Sequence, residues 1–546
     1  MTDFTPMRRC SWESGAEPVQ IAAQTLDQVI AEFGTPTYVI DLGEVRRRTE
    51  AFRAAFPEAR IHYSTKTNPD PAVIDTVAGL GLAFDAATIG EIRMLTGRGV
   101  AGADILFTHP LKSEAEIRAA LGLGVRQFVL DSEPELRKLV RLAPDADLHL
   151  RLAVQQHASA YDYRQRFGVA EDEARAILDA AALDGLPIHG LTFHVGSQTE
   201  SLRAWDEAMA LSCRLIDDFA DAIPTLRAVN IGSGFPVDYD GRGVVHLGEV
   251  ARIVRRHLTA LRVPVRLAAE PGRPLTATAG ALLTTVQAVT TRRGTRWVSV
   301  DASVYQGLIE ILESGGRLRY RVTTADGRVG PPCSVGGKTL DPDDVLSQSA
   351  LLPEDLQPGD RLVVHDVGAY TLTFVSEYHA LPRPRIAYVD SSDDQRVTVG
   401  STGVTGAGVL ARRPFAPGEL VLSVTGYRVA ARGRYTFEIG PGEHVEPTMF
   451  GRYLNHCCVP NAGVRTRADG LLEIVAMVPI AAGEQITVDY AMFESEVGEA
   501  GRGACLCAAD GCRGQIEGYL SQSSRIQAAY RDFAAAHLTL ADPALA

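Results

Sequence analysis

The sequence predicts an α/β architecture: a (β/α)8 barrel with an attached β-domain, followed by a mainly-β C-terminal domain with a cysteine-rich tail. Three observations predict it. From about residue 60, eight short β-rich runs alternate with amphipathic helical segments, the periodicity of a parallel barrel. After about residue 275 the helical segments stop, and strand-and-loop sequence runs to about 388. Beyond a polar segment the chain is Gly-rich and β-rich, and five of the eight cysteines lie there.

The eight runs are RIHYST, LAFDA, DILFTH, QFVLD, LHLRLA, GLTFHVG, AVNIGSG and VRLAAE, and segments such as PELRKLVRLA carry a single apolar face between them. They place the barrel at residues 39–274. RWVSVDASV and DRLVVHDVG mark the β-domain at 275–388, which residues 1–38, with the early strand TYVID, are expected to join. The run DSSDDQ (390–395) reads as a solvated linker, placed at 389–395. The C-terminal domain follows at 396–520, with a helical tail at 521–546.

At 546 residues the chain exceeds what one hydrophobic core supports. A net charge of −13 argues against a nucleic-acid surface, and no apolar run reaches the roughly 18 residues of a membrane span. The opening MTDFTPMRRCSWESG has no apolar signal segment, so a cytoplasmic protein without nucleic-acid or membrane partners is expected.

In such a barrel the reactive groups follow the strands. The first strand is followed by Lys66, the sixth by His194 and Ser197, the seventh by Gly232, Ser233 and Gly234, and the eighth by Glu270 and Arg273. A strand-end lysine can form a Schiff base with an aldehyde cofactor. Glycine N–H groups and an arginine fork suit a phosphate, Glu270 suits a pyridine nitrogen, and His194 suits a ring face. Singly these are ordinary turn and surface residues. Together they describe pyridoxal phosphate.

In their order, YSTKTNP, FDAATIGEI, HVGSQ, GSGFP, EPGR, GPPCSV and VGAYT resemble the motifs of the ornithine, diaminopimelate and arginine decarboxylase family. The resemblance implies that Lys66 is the Schiff-base lysine and that Asp85 and Glu91 belong to the second-strand motif. It also implies that Tyr370 helps hold the phosphate, and that Cys333 assists reprotonation across a homodimer interface. Diamine-forming members carry acidic residues just after the motif cysteine and in a Tyr-Asp pair. Here Ser334 stands at the first position, and Glu313 with Ser314 at the second.

In the C-terminal domain, Cys505, Cys507 and Cys512 form C-x-C-x4-C, three thiolates that need a fourth to close a tetrahedral zinc shell. The adjacent pair Cys457 and Cys458 can provide it. These two are unsuited to bond each other, since neighbouring Cα atoms lie about 3.8 Å apart. GVTGAGVLA, YLNHCCVPNAG and GEQITVDYAMF precede the tail in that order and resemble the SET-domain lysine methyltransferases with a post-SET zinc site. By that likeness Cys458 is the fourth ligand and Cys457 is packing. Gly406, Gly408, Asn455 and His456 bind S-adenosylmethionine, and Tyr490 orients the amine and methyl.

The reading that follows is a bifunctional enzyme: a pyridoxal-phosphate decarboxylase of an ornithine-, lysine- or diaminopimelate-like amino acid, fused to a SET-type methyltransferase acting on a small amine or a protein lysine. Two rivals stay open for the barrel, a racemase and a catalytically idle dimerisation module.

Overall fold

The computed structural model describes residues 23–157, 159, 166–239, 243–402, 406–497 and 504–540. Cys10, the rest of 1–22, motif residues 403–405 and tail residues 541–546 lie outside them. The described chain divides into two compact units: Val45–Pro384, and residues 23–44 together with 385–540. Strand β1 (Thr37–Asp41) belongs to the second.

In the first unit, eight strands close a barrel: β2 (Ala59–Ser64), β3 (Ala83–Ala86), β4 (Ile105–Phe107), β5 (Gln127–Leu130), β6 (Asp147–Leu152), β7 (Gly190–Phe193), β8 (Ala228–Asn230) and β9 (Arg266–Ala269). Neighbours pair in parallel in sequence order, and β9 closes on β2 with Ile61 opposite Ala269. Their continuous apolar character follows from burial on both faces. Local chemistry starts the helices between them. Asp70 caps the helix Pro71–Gly79, with proline in its first turn, and Thr88–Glu91 and Ser113–Glu116 form capping boxes. The segment Glu133–Leu142 is helical as its apolar stripe requires, and buries Leu136 and Leu139.

A β-domain follows, of β10 (Gly280–Arg292), β11 (Thr295–Val300), β12 (Val322–Thr324), β13 (Pro332–Gly336), β14 (Val345–Leu351) and β15 (Arg361–His365), in the order β12-β15-β10-β11-β13-β14. Its one short helix, Glu310–Glu313, follows β11.

In the second unit, β1 pairs in parallel with β16 (Arg385–Val389), Thr37 opposite Arg385 and Asp41 opposite Val389. The hairpin β17 (Val397–Ser401) and β18 (Ala407–Ala411) comes next. Three small sheets complete the unit. One joins β19 (Leu420–Ser423), β25 (Leu472–Ala476) and β24 (Ala462–Thr466). Another joins β20 (Gly426–Val429), β22 (Glu443–Pro447) and β21 (Phe437–Gly440). The third pairs β23 (Asn455–His456) with β26 (Thr487–Val488). Two short helices, Ser524–Tyr530 and Ala536–Leu540, end it.

DSSDDQ differs from the solvated linker its composition suggests. Asp390, Ser391 and Asp393 are buried, and Asp393–Gln395 forms a 3₁₀ turn. The Ser423 N–H donates to Asp393 at 3.2 Å, Arg396 pairs with the same carboxylate, and the Ser391 N–H donates to Asp41 Oδ1 at 3.0 Å. Asp390 accepts from its neighbour Ser392, but Asp393 reaches Ser423 and Ser391 reaches Asp41, so composition misleads here. Burial, reinforced by Asp390, pushes the Asp41 carboxyl up to about 7. Among the described residues no helix is long and apolar enough to cross a membrane.

Candidate active sites

Lys66 lies in the 3₁₀ turn Thr65–Thr67 just after β2, its side chain 45 % exposed at the barrel mouth. Its Nζ donates to Asp85 Oδ2 at 2.8 Å, and Asp85, at the buried end of β3, also accepts from Ser64 Oγ at 2.7 Å and Thr108 Oγ1 at 2.6 Å. Burial opposes the charge on Lys66, but Asp85, with Tyr370 and Glu270, outweighs it and raises the ammonium pKa. Burial likewise opposes the Asp85 carboxylate; Lys66 and the hydroxyl donors win and lower its pKa.

Glu270 follows β9 and accepts from Asn230 Nδ2 at 2.6 Å. Burial, then the neighbouring Asp85, pushes its carboxyl up to about 7, so it can hold a proton near neutral pH. His194 follows β7; burial, then Arg151 and Lys66, push its imidazole down to about 3 and keep the ring neutral. Its Nδ1 accepts the Gly196 N–H at 2.9 Å.

The GSG turn after β8 needs glycine for space. A Cβ at Gly232 would stand 1.9 Å from the Phe193 carbonyl oxygen, and one at Gly234 would stand 2.4 Å from that of Gly196. Both residues have positive φ, 60° and 110°. Both glycines thus let the turn pack closely against the end of β7 and the loop after it, and the Gly232 N–H donates to Asn230 Oδ1 at 2.9 Å.

Arg273 is buried, and its guanidinium forms a bidentate pair with Glu310, Nη2 to Oε1 at 2.6 Å and Nη1 to Oε2 at 3.0 Å. Nη1 also donates to the Tyr239 hydroxyl at 2.8 Å, and the guanidinium carbon lies 4.6 Å from the Tyr370 ring centroid. Three of five N–H donors are thereby used. Nε–H and the second Nη2 hydrogen, which share one edge, have no partner among the described residues and form a fork suited to an oxyanion. Tyr370 is fixed by its N–H to the Thr67 carbonyl at 2.7 Å.

Cys333 stands apart from this group within one chain. It is buried in β13, where its thiol lies 3.5 Å from the Ala350 carbonyl, and burial raises its pKa. Glu313 is exposed, whereas Ser314 and Ser334 are buried. Glu91 spends its carboxylate on the Ala87 N–H at 2.7 Å as a helix cap. Ser197 lies half-buried in the loop after β7.

In the second unit, the sulfurs of Cys458, Cys505, Cys507 and Cys512 all lie within 4.8 Å of one another, and Cys458 and Cys505 are 3.7 Å apart. Zn–S bonds of about 2.3 Å put tetrahedral sulfurs about 3.8 Å apart, so the four thiols fit one zinc ion. Cys457 is not one of the four: its thiol lies 3.2 Å from the Val459 carbonyl and neighbours Cys507.

Beside these thiols, the Tyr490 N–H donates to His456 Nδ1 at 3.3 Å and the Tyr490 hydroxyl donates to the Leu454 carbonyl at 3.0 Å. Burial pushes the Tyr490 hydroxyl up to about 12. Phe493 lies 5.5 Å from the Tyr490 ring and stacks on Phe437 at 4.3 Å. Asn455 Nδ2 donates to the Ala407 carbonyl at 3.1 Å, between Gly406 (φ 78°) and Gly408. A Cβ at Gly408 would lie 2.8 Å from both Asn455 Nδ2 and Gln485 Nε2, and that Gln485 donor is buried with no partner among the described residues. An orphaned donor beside a glycine surface suits a polar ligand such as S-adenosylmethionine.

Comparison with known proteins identifies both domains. Residues 42–277 match the family model described as pyridoxal-dependent decarboxylase, pyridoxal binding domain, and residues 406–491 match the SET domain. A lysine/ornithine decarboxylase of Selenomonas ruminantium is 31 % identical over 361 residues, covering 66 % of this chain and 91 % of that protein. The chain belongs to the pyridoxal-dependent decarboxylase family. A diaminopimelate decarboxylase of Actinosynnema pretiosum subsp. auranticum is 35 % identical over 382 residues, 66 % of this chain and 85 % of that one. The crystal structure of a Vibrio vulnificus lysine/ornithine decarboxylase complexed with putrescine superposes with a TM-score of 0.62 at 30 % identity, covering 68 % of this chain and 98 % of that one. The decarboxylase fold is thus fused, in one polypeptide, to a SET domain with a four-cysteine cluster.

Within the decarboxylase unit, Lys66, Asp85 and Glu270 influence one another directly, and Arg273 and Tyr370 stack beside the same mouth. In the SET domain, Asn455, His456 and Tyr490 meet within one small region. Sequence reading passed over Glu310 and Gln485. Glu310 sits in the apolar run LIEILE, where an acid among apolar residues is a clue to a buried partner; no local signal marks Gln485.

Proposed function

We propose that the chain is a bifunctional enzyme. Its first unit decarboxylates a basic amino acid with pyridoxal phosphate, and its second transfers a methyl group from S-adenosylmethionine to an amine. The observation that carries the first half is Lys66 held by Asp85 at the barrel mouth, beside a carboxyl poised near pH 7 and an arginine fork with an open edge.

Pyridoxal phosphate, when bound, supplies an electron sink for the pair left on Cα as carbon dioxide departs. Asp85 anchors the Lys66 ammonium at rest; once that ammonium has given up a proton to solvent, the free amine would be the nucleophile toward the cofactor's aldehyde carbon. Glu270 holds a proton toward the pyridine nitrogen. Gly232, Ser233, Gly234 and Ser197, with the open edge of Arg273 and with Tyr370, bind the phosphate, and the neutral His194 ring covers one face. By the family likeness, Cys333 returns a proton to Cα from the other chain of a homodimer.

In the second unit, Gly406, Gly408, Asn455 and His456 hold S-adenosylmethionine, joined by the orphaned amide of Gln485. Cys458, Cys505, Cys507 and Cys512 hold one zinc ion that ties the tail to the domain. The Tyr490 hydroxyl orients the acceptor amine in line with the methyl group. The acceptor is a small amine bearing the same aminoalkyl end as the decarboxylation product, or a protein lysine, which presents that end too.

The test is mass spectrometry of products from purified protein given a panel of amino acids, with and without S-adenosylmethionine. Loss of carbon dioxide from lysine, ornithine or diaminopimelate, followed by methylated amine, is expected. A racemised amino acid with its carboxylate intact would replace the first half, and label appearing in a protein but in no small amine would leave the protein lysine as the acceptor.

A further inference from the structure

The residue before Tyr490 is a fully buried carboxylate, Asp489. Its Oδ1 accepts the Ala491 N–H at 3.1 Å, capping the 3₁₀ turn Tyr490–Met492 that carries the tyrosine. Its Oδ2 accepts two donors from far along the chain: Arg513 Nη2 at 2.5 Å, just after Cys512, and the Tyr530 hydroxyl at 2.7 Å, at the end of the helix Ser524–Tyr530. His456 Nδ1 stands 3.6 Å from Oδ1.

The tail grips the same turn a second time. The Ala535 N–H donates to the Met492 carbonyl at 2.7 Å. Alongside, the Val464 N–H donates to the Phe533 carbonyl at 2.8 Å, and the Ala536 N–H to Thr466 Oγ1 at 2.9 Å. Tyr530, Ala535 and Leu538 are buried. All of these tail residues lie beyond 406–491, the part that matches the SET domain, and beyond the cysteines.

We propose that the C-terminal helices are part of the methyl-transfer site, with Tyr530 a positioning residue that holds the Tyr490 turn through Asp489. This rests on reading Tyr490 as the group that orients amine and methyl. The Tyr530 hydroxyl touches neither reactant. It fixes the direction of Asp489, whose other oxygen sets the backbone from which Tyr490 projects. In-line transfer is sensitive to such direction, since reacting groups must meet within a narrow range of distance and angle.

The test uses the full-length, zinc-loaded chain carrying Tyr530→Phe, which keeps the ring and removes the hydroxyl. Hydrogen exchange followed by mass spectrometry reads the turn directly, without any methyl acceptor. Amides of 489–493 are expected to exchange about tenfold faster while β24 and β25 and the zinc content stay as they were. Methyl transfer is expected to lose about tenfold in kcat with KM for the acceptor changed less than about twofold. In a Tyr490→Phe background, Tyr530→Phe should add nothing.

Unchanged exchange at 489–493, faster exchange throughout the unit, or a loss that adds in full to Tyr490→Phe would each overturn the proposal. Tyr530→Gln, which keeps an N–H donor, should fall between the wild type and the phenylalanine variant, and it decides the matter if the latter does not fold. Should the wild-type chain methylate no acceptor, the methyltransferase reading fails, whereas the exchange measurement still decides whether Tyr530 holds the turn.

Discussion

Arg273 and Glu310 meet edge to edge in the interior of the decarboxylase unit, both side chains about 5 % exposed. The pairing turns a mobile cation into a fixed one, with one edge committed to Glu310 and the other offered to the barrel mouth. Its energetic signature is asymmetric. A buried pair contributes little net stability, but removing one partner leaves a charge that cannot be solvated.

Glu310→Leu should therefore destabilise the first unit by about 3 kcal/mol or more, while the double change Arg273→Met with Glu310→Leu should cost less than the single one. Urea unfolding of the three proteins, following the transition of that unit, is the check. A double variant as unstable as the sum of both singles would show that the pair is not the coupled element.

The barrel interior also holds His62 on β2 and His149 on β6, both buried. Burial, then Arg60 for His62, outweighs Asp85, and burial of His149 outweighs Asp147; they are pushed down to about 3 and about 4. An unfolded histidine takes up its proton near pH 6.5, and these do not until far lower, so the unfolded state binds more protons as pH falls. Their stabilising contribution is complete above pH 6.5 and is lost downward toward pH 4 to 3, by roughly 2 kcal/mol each at pH 5. His62→Gln should flatten the pH dependence of unfolding between about 6.5 and 4.5 by one proton. An unchanged slope would refute the assignment.

Protein purified without chelator should carry one zinc ion per chain, and substitution of Cys458, Cys505, Cys507 or Cys512 by serine should release it, read by elemental analysis. Cys457→Ser should keep it, because that thiol faces the Val459 carbonyl. Loss of zinc in the Cys457 variant with retention in Cys458→Ser would reverse the roles of the two neighbours.

Lys66→Ala should abolish the visible absorbance of lysine-bound cofactor and stop carbon dioxide release, leaving methylation of a ready-made amine intact. Tyr490→Phe should do the opposite. Labelled methyl groups and evolved carbon dioxide, followed in each variant with both the amino acid and its amine, give the answer. Simultaneous loss of both activities in either variant would count against separate sites.

Much of the fold could be read because alternation is local. Most barrel strands are short apolar runs followed by an amphipathic helix, and Lys66, Glu270 and Arg273 mark themselves by following strands. The cysteines are legible because three of them fall within eight residues. What could not be read depends on meetings across sequence distance. Arg273 finds Glu310 37 residues on, and Asp489 finds Tyr530 41 residues on. The short helix Glu310–Glu313 shows how fine the difference is: Glu313 is exposed, whereas Glu310, three residues before it, is buried against Arg273. DSSDDQ deceived for the same reason, since its partners Asp41 and Ser423 are remote from it in the chain.

The parallel pairing of β1 with β16 bears on how the protein must be made. Within the second unit, Glu32 also meets Arg452 at 2.8 Å and Thr25 meets Asp394 at 2.5 Å, so the opening helix and strand are integral to the SET-bearing half. In the order of synthesis, Val45–Pro384 lies between two stretches of the second unit. The ribosome delivers β1 first and must then complete all of Val45–Pro384 before β16 emerges. β1 therefore waits, unpaired within its own unit, while the barrel is made. A gene fragment starting at residue 396 would encode every SET motif and yet lack a strand pair and an ion pair of its own unit, so the two halves cannot be separated by a single cut.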